Sequence, residues 1–452
     1  MERIGRHKRT GIKLAVALVL GYGALALARG DDSDERRLPA VDPAGSRGAE
    51  AADPVEPPNV QKRLEPRQLE ADASAGAPPP GALPWLAGGV VPAEPTSAGV
   101  AAAQDSAAPP TYVLPPLGED VFPAAQAPRV ARPKAVHGIY LNAWAAGSPR
   151  KRAKLIALAE RTEINTFVID VKDATGYVSY ETGVAVARQI GADRDVRIHD
   201  VRALLDTLRA KGIYPIARIV AFKDPLLARR HPEWAIQEAD GSVWQDHHGE
   251  LWVDAFNRNV WDYNIALARE ALLLGFAEVQ WDYVRFPDVP SRYMRTAVYP
   301  ARAGRKRAEA IREFLRYSSE QLADLNAPIT ADVFGLTVSA NDDMGIGQSW
   351  SQMVDVADVL LPMVYPSHFA KGSYGIPEPN ADPYRTILTA LGHAVERTVG
   401  VPDAATIRPW LQDFTLGWPD YGAAEVRAQI EATYDAGLSE WILWNPGSDY
   451  TE

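Results

Sequence analysis

Two aspartates, Asp282 and Asp332, are the residues of this 452-residue sequence that most clearly suggest chemistry. Asp282 lies within the apolar stretch VQWDYVRFP (279–287), and Asp332 lies within the similar stretch ITADVFG (329–335). Desolvating a carboxylate inside an apolar strand is costly unless a partner or a function compensates for it. Hydrolysis of a glycosidic bond uses two carboxyl groups that flank the bond, one of them a general acid, and needs no cofactor. The two aspartates together therefore predict a glycoside hydrolase pair.

Two arginines could instead give Asp282 a purely structural role. Arg285 follows Asp282 by three positions, and Arg218 lies in an earlier apolar stretch, so either guanidinium could pair with Asp282 and keep it ionised. Buried ion pairs of this kind also occur in cores that have no catalytic function. A second aspartate at the corresponding place of the next apolar stretch favours the functional interpretation.

Other candidate site residues are aromatic, amide or charged side chains near the ends of apolar stretches. Flat rings stack on sugar faces, and amides or charges bind sugar hydroxyls. The predicted substrate-binding residues are Tyr140, Trp144, Asp173, Arg218, Arg285, Tyr365, His368, Trp410, Trp444 and Asn445. Asp170 and Asp173 are three positions apart on a strand and face opposite sides of it, so at most one of them lines a site. Asp254 either lines the site or occupies a turn.

The sequence predicts no metal centre. It contains no cysteine, which excludes a thiolate zinc site and a disulfide. The adjacent histidines His247 and His248 point apart on a strand or turn, so the DHH stretch (246–248) is typical of a solvated loop. The acidic stretch NDDMG (341–345) lacks the rest of a calcium-binding loop and indicates a surface turn.

The scaffold that must position these residues begins near Lys134, where short apolar or β-branched stretches start to alternate with helical patterns. Eight stretches are predicted strands: 138–144, 166–173, 214–222, 278–286, 328–335, 359–366, 406–414 and 440–447. Helical patterns between them include 149–163, 198–212, 261–275 and 423–437, and the last three end in glycine.

Eight strand–helix alternations predict an α/β fold, a closed (β/α)8 TIM barrel, whose chemistry lies at the C-terminal ends of the strands. An open doubly wound sheet would need a glycine-rich turn after its first strand, which NAWAAGSP (142–149) does not provide. Neighbouring parallel strands lie about 4.8 Å apart, so Asp282 and Asp332 could approach the roughly 5 Å separation of a retaining pair. A separation above roughly 6.5 Å would instead indicate an inverting enzyme, with Asp173 or Asp254 as the acid.

The N-terminal residues 1–30 have the pattern of an export signal. Basic residues in the first thirteen positions precede an uncharged apolar run, 14–28, which is shorter than the about 20 residues of a transmembrane helix. We expect either cleavage after Ala28 or an uncleaved signal anchor in the inner membrane. Either outcome exports the rest of the chain to the periplasm or another extracytoplasmic compartment.

Residues 31–133 have the composition of a disordered linker. They hold 19 of the 36 prolines and show no sustained apolar periodicity, so they cannot bury enough surface to offset their chain entropy. The predicted barrel domain is therefore 134–452. The formal net charge of −11 disfavours a nucleic acid partner, because phosphate-binding surfaces are usually basic.

Several motifs of the predicted barrel resemble those of a known family. The motifs are HGIYLNAW (137–144), VIDVKDATG (168–176), EVQWDYVRFP (278–287), ADVFG (331–335) and LPMVYPSHF (361–369). Their order and spacing are similar to those of the glycoside hydrolase barrel family that was first described as a domain of unknown function. The resemblance covers essentially residues 134–452.

This resemblance implies a TIM barrel distantly related to the α-amylase-type glycosidases, whose fourth-strand aspartate is the nucleophile. That role falls on Asp282. The acid/base of those relatives is a fifth-strand glutamate, whereas this chain has Asp332 there. The resemblance does not specify a substrate. Together with the predicted export signal and the aromatic and amide residues at the strand ends, it leads us to expect a retaining hydrolase of an extracytoplasmic polysaccharide or oligosaccharide. The competing hypothesis is a carbohydrate-binding barrel of the cell envelope without turnover, because one fold hosts unrelated functions.

Overall fold

A computed structural model describes residues 119–451 of the chain. Within these residues, nine strands form one sheet: β1 His137–Leu141, β2 Thr166–Lys172, β3 Tyr214–Val220, β4 Glu278–Asp282, β5 Ile329–Phe334, β6 Val359–Met363, β7 Thr406–Ile407, β8 Trp410–Gln412 and β9 Trp441–Trp444. Every pairing is parallel, and the sheet closes because β6 pairs with β5 and β8 while β9 pairs with β8 and β1. The predicted closed barrel is confirmed.

The seventh predicted strand, 406–414, is divided into β7 and β8. The break falls at Arg408 and Pro409, and proline has no N–H to donate to a neighbouring strand. β7 and β8 both pair with β6, so together they fill the seventh position of the barrel.

Helices follow most strands and cover the outside of the barrel. The α-helices of residues 119–451 are α1 Ala143–Gly147, α2 Pro149–Glu160, α3 Ala185–Ile190, α4 Val201–Ala210, α5 Pro225–Arg230, α6 Arg258–Leu274, α7 Arg307–Leu322, α8 Trp350–Met353, α9 Pro383–Thr398 and α10 Ala423–Asp435. The four predicted helical patterns correspond to α2, α4, α6 and α10. Gly275 ends α6 at φ 119°, a conformation that favours glycine.

The strand side chains alternate between the helix layer and the barrel interior. The interior is apolar at mid-height, where Val168, Ile216, Leu361 and Ile442 are fully buried. Below this layer, at the N-terminal ends of the strands, lies a group of four charged residues: Arg132, Glu278, Arg408 and Glu440. We call this group the floor cluster.

The floor cluster pairs each carboxylate with a guanidinium. Arg408 Nη1 donates to Glu278 Oε1 at 2.6 Å, and Arg408 Nε donates to Glu440 Oε2 at 2.9 Å. Arg132 Nη2 donates to the other oxygen of Glu440 at 2.7 Å. Two positive and two negative charges therefore lie together at the base of the barrel.

Part of the segment whose composition predicts a linker lies against the barrel. Val121 N donates to Gly183 O at 2.9 Å, Ala127 N donates to Leu273 O at 2.9 Å, and Arg129 Nη1 donates to Leu325 O at 2.6 Å. The predicted export signal, 1–30, and the predicted linker up to residue 118 lie outside the described residues. Within residues 119–451 no helix combines the length and the apolar character that a membrane span requires.

Candidate active site

Four ionisable side chains lie inside the barrel near the C-terminal ends of β2 to β5. They are Asp170, Arg218, Asp282 and Asp332, and we call them the mouth cluster. The three aspartates are 2%, 7% and 1% exposed. Asp170 and Arg218 are register partners on adjacent strands, so the parallel pairing places them side by side. The predicted pair, Asp282 and Asp332, thus lies in one buried group with a third carboxyl group.

Arg218 bridges two of the aspartates. Its Nε donates to Asp282 Oδ2 at 3.1 Å, its Nη2 contacts the same oxygen, and its Nη1 contacts Asp170 Oδ1. Burial lowers the pKa of Arg218, but the charges of Asp170 and Asp282 raise it more, so this pKa lies well above its ordinary value. Arg218 is therefore a permanent cation between Asp170 and Asp282.

Asp282 is bound at both oxygens. Besides the Arg218 contacts at Oδ2, its Oδ1 accepts a hydrogen bond from Tyr283 N at 2.6 Å. Tyr283 has a φ of 48°, which is uncommon for a residue other than glycine and is frequent at functional sites. Both oxygens of Asp282 therefore accept hydrogen bonds, and one of the donors is a guanidinium.

Asp332 has a different environment. Its Oδ1 accepts hydrogen bonds from Trp410 Nε1 at 2.6 Å and from Gln280 Nε2 at 2.9 Å, and no cation contacts it within the described part of the chain. Burial and the charge of Asp282 raise its pKa well above the ordinary value, although Arg218, Trp410 and Gln280 partly oppose the shift. This environment favours the protonated form of Asp332.

Two predicted substrate-binding residues are hydrogen-bond donors to the mouth cluster. Trp410 donates to Asp332, and Tyr140 OH donates to Asp170 Oδ2 at 2.5 Å. Burial raises the pKa of Asp170, and the charge of Arg218 and the Tyr140 hydrogen bond lower it in part. Tyr140 and Trp410 therefore position carboxyl groups.

Aromatic rings form a wall beside the mouth cluster. Tyr365 and Trp444 stack with their ring centroids 5.2 Å apart, and Phe414 meets both rings edge-on. The exposed ring of His368 lies 5.3 Å from the ring of Tyr365. Burial, together with the charges of Asp332 and Asp282, raises the pKa of Tyr365 well above its ordinary value. Three predicted binding residues, Tyr365, His368 and Trp444, thus lie together.

Other predicted residues lie farther from the mouth cluster. Asp173 forms an ion pair with Arg197, whose guanidinium also lies 5.1 Å from the ring of Trp144, which is 64% exposed. Asn445 donates to Asp413 O at 2.6 Å and accepts hydrogen bonds within its own turn. Neither Asp173 nor Asn445 contacts the mouth cluster.

The alternative acid Asp254 occupies a turn. Its two oxygens accept hydrogen bonds from Phe256 N and Ala301 N, both at 2.9 Å. Burial raises the pKa of Asp254 to about 6. Its contacts are those of a loop-forming residue.

Gln280 was not among the predicted site residues, and Asp170 was named only as an alternative to Asp173. Their signal is the alternation along a strand, because Asp170 is two positions beyond Val168 and Gln280 is two positions before Asp282. Both therefore face the barrel interior.

No group of three or more His, Asp or Glu side chains within residues 119–451 is arranged to hold a metal ion. In the DHH stretch, Asp246 Oδ1 accepts hydrogen bonds from His248 N and Glu250 N. His247 stacks on Tyr293 with their ring centroids 4.8 Å apart. The acidic turn at 341–345 is likewise formed by aspartates that accept backbone N–H groups.

Comparison with known proteins gives one family match. The family model described as "Putative glycosyl hydrolase domain" matches residues 138–450. No curated protein matches the sequence.

Solved structures provide further similarities. A hypothetical protein from Ruminiclostridium thermocellum is 36% identical, and the match covers 46% of this chain and 98% of that chain with a TM-score of 0.40. The PgaB (BpsB) glycoside hydrolase domain from Bordetella bronchiseptica is 11% identical over 70% of this chain and 95% of its own, with a TM-score of 0.50. The α-galactosidase TtGalA from Thermus thermophilus, in complex with stachyose, is 16% identical over 72% and 64% of the two chains, with a TM-score of 0.46. At 11% identity, the similarity to the Bordetella domain shows the fold alone.

Proposed function

This chain belongs to the glycosyl hydrolase domain family whose model it matches, and from that premise we propose that it is a retaining glycoside hydrolase. In this proposal Asp282 is the nucleophile, and Asp332 is the general acid and then the general base. The substrate is a polysaccharide outside the cytoplasmic membrane.

The observation that carries the proposal is the unequal sharing of one cation among three carboxyl groups. Arg218 contacts Asp170 and Asp282, whereas Asp332 has only neutral donors and a raised pKa. A retaining glycosidase needs one ionised and one protonated carboxyl group in the same site. Asp282 and Asp332 have the environments that these two states require.

The proposed reaction has two steps. Asp282 attacks the anomeric carbon while Asp332 transfers its proton to the leaving oxygen, which gives a covalent glycosyl-enzyme. Asp332, now ionised, then removes a proton from the water that attacks the same carbon. The bond between this carbon and Asp282 breaks, which releases the sugar and regenerates the Asp282 carboxylate. Asp170, held by Tyr140, keeps Arg218 in place during both steps.

Gln280 offers Asp332 a partner in either protonation state. Its Nε2 donates to both oxygens of Asp332, at 2.9 and 3.1 Å, which suits the carboxylate. Its buried Oε1 has no hydrogen-bond partner among the described residues. If the amide rotates, this oxygen can accept a hydrogen bond from the O–H of protonated Asp332. One side chain can therefore stabilise both forms of the acid/base.

A glycan panel tests the proposal. The full chain, Asp282→Asn, Asp332→Ala and the control Asp254→Asn are incubated with neutral and acidic polysaccharides and with aryl glycosides. We expect products that retain the anomeric configuration from the full chain and from Asp254→Asn, and none from Asp282→Asn. We expect azide to restore turnover of aryl glycosides by Asp332→Ala, because such leaving groups need no acid.

Two results would contradict the assignment. Equal hydrolysis by the full chain and Asp282→Asn would remove the nucleophile role from Asp282. Glycan binding by the full chain with no product from any substrate would favour the carbohydrate-binding barrel instead.

The extracytoplasmic location rests on the basic and apolar pattern of residues 1–28. Cell fractionation of the full chain and of a variant without these residues tests it. We expect only the full chain outside the cytoplasm.

A further inference from the structure

Among the buried Lys and Arg side chains of residues 119–451, Arg285 differs from the others because it has no carboxylate partner there. Lys172, Lys223, Arg285 and Arg408 are the buried Lys and Arg side chains of this part of the chain. Lys172 pairs with Asp224, Lys223 with Glu250, and Arg408 with Glu278. Arg285 has no carboxylate within ion-pair distance among the described residues, and its one hydrogen bond runs from Nη1 to Phe286 O at 3.0 Å. A guanidinium has five N–H donors, so most of its binding capacity is unused.

Three aromatic rings enclose the Arg285 guanidinium. Its Cζ lies 4.6 Å from the ring centroid of Phe334, 4.9 Å from that of Tyr283 and 5.1 Å from that of Trp252. The π faces attract the cation and restrict water around it. A cation that is desolvated without a carboxylate partner is costly to keep, but it binds an incoming anion strongly.

Two of the rings that enclose Arg285 belong to residues that lie close in sequence to the proposed catalytic pair. Tyr283 directly follows Asp282, and Phe334 is two positions beyond Asp332 on β5. Residues two apart on a strand share a face, so Phe334 lies on the side of Asp332 but nearer the barrel opening. A sugar bound across Asp282 and Asp332 would therefore have a neighbouring unit, or its own exocyclic group, close to Arg285.

We propose that Arg285 binds the carboxylate of a uronic acid unit, so that the substrate is an acidic polysaccharide. This inference rests on the proposed hydrolase function, because it uses the same site. A planar guanidinium matches a carboxylate through two parallel hydrogen bonds. The mouth cluster has more negative than positive groups and would repel an acidic sugar, and Arg285 supplies the compensating charge.

Lys223 provides a matched control. Its Nζ lies 5.3 Å from the same Tyr283 ring, but it forms an ion pair with Glu250. Lys223→Gln and Arg285→Gln each remove one positive charge beside this ring. If the preference for acidic sugars arises from the overall electrostatic potential near the ring, it should weaken in both variants. If it arises from a specific carboxylate contact with Arg285, it should be lost only in Arg285→Gln.

The test compares acidic sugars with their neutral methyl esters. Binding of galacturonate, glucuronate and mannuronate oligosaccharides, each paired with its methyl ester, is followed by tryptophan fluorescence or calorimetry with the full chain. We expect at least one acid to bind about tenfold or more tightly than its ester, since a hydrogen bond to a charged group contributes that much. We expect Arg285→Gln to remove the difference and Lys223→Gln to keep it.

The inference is overturned if no acid binds more tightly than its ester, or if the preference survives in Arg285→Gln. Thermal unfolding verifies that Arg285→Gln is folded. If it is not, Arg285→Lys keeps the charge but loses the planar fork, and an undiminished preference in that variant would also overturn the inference.

Hydrolysis assays on the same sugars separate this inference from the proposed function. Cleavage of a neutral glycan without a preference for any acid would overturn the Arg285 site and leave the hydrolase intact. Selective binding of a uronate without cleavage of any glycan would support the Arg285 site and count against the hydrolase.

Discussion

The floor and mouth clusters are groups of charges at the two ends of one barrel, and they differ in the balance between positive and negative side chains. The floor cluster has two arginines and two glutamates, and every carboxylate contacts a guanidinium. The mouth cluster has three aspartates and one arginine. The balanced set joins the strands at the base. In the unbalanced set, burial raises the pKa values of both Asp170 and Asp332, and among its three aspartates only Asp332 has no contact with the arginine. The imbalance therefore distinguishes the chemical end of the barrel from the structural end.

The largest contrast between the effect on hydrolysis and the effect on stability is expected from Asp282→Asn. We predict that hydrolysis falls by about 10⁴-fold, because the proposed nucleophile is lost. The free energy of unfolding should change little, since Arg218 keeps its contact with Asp170 and one negative charge leaves a crowded group. Product assays and urea unfolding of the same preparation measure both quantities. A large loss of stability with full activity would place Asp282 in the structural class instead.

Glu278→Gln should have the opposite profile. Glu278 is fully buried and pairs with Arg408, so its loss leaves a guanidinium with less compensation and should destabilise the fold by about 3 kcal/mol. Activity per folded molecule should persist at low temperature, because the floor cluster lies at the other end of the strands. Unfolding curves, and activity assays about 10 °C below the unfolding midpoint of the variant, check this prediction. Loss of activity in a folded variant would contradict the separation of the two clusters.

Asp332→Asn should produce a smaller effect on the free energy of unfolding, and this effect should depend on pH. In the folded protein, Asp332 keeps its proton at pH values above its ordinary pKa of 3.8. In the unfolded chain it loses the proton near pH 3.8. Asp332 therefore stabilises the fold fully below about pH 4, and this contribution is lost as the pH rises through its folded-state pKa. The free energy of unfolding of Asp332→Asn, relative to the unchanged protein, should consequently increase from pH 4 towards neutrality. A difference that is independent of pH would mean that Asp332 is ionised throughout.

The barrel and its two central aspartates could be predicted from the sequence because strand alternation and strand-end position are local properties. Asp282 is the last residue of β4, Asp332 lies two positions before the end of β5, and the two strands are consecutive. The partners of these residues depend on strand register, which the sequence does not specify. The contacts of Trp410 with Asp332 and of Tyr140 with Asp170 could therefore not be predicted.

Asp173 and the floor cluster show two further features that could not be predicted from the sequence. An irregularity between Asp170 and Lys172 changes the register of β2 with β3, and Asp173, which lies beyond it, forms an ion pair with Arg197. In the floor cluster, Arg408 pairs with Glu278 across 130 positions of sequence. Neither a bulge nor a pairing at that separation has a local pattern.

The protonation state of Asp332 tests the proposed division of roles most directly, and it requires no substrate. Infrared spectroscopy of the full chain detects the carbonyl band of a protonated carboxyl group as the pH is raised. Asp170 and Asp254 also have raised pKa values, so the band of Asp332 is obtained as the difference between the spectra of the full chain and Asp332→Asn. We predict that this difference band persists well above pH 3.8. In the Asp282→Asn background the same difference band should titrate at lower pH, because the charge of Asp282 raises the pKa of Asp332. A difference spectrum with no such band above pH 3.8 would contradict the assignment of Asp332 as the acid.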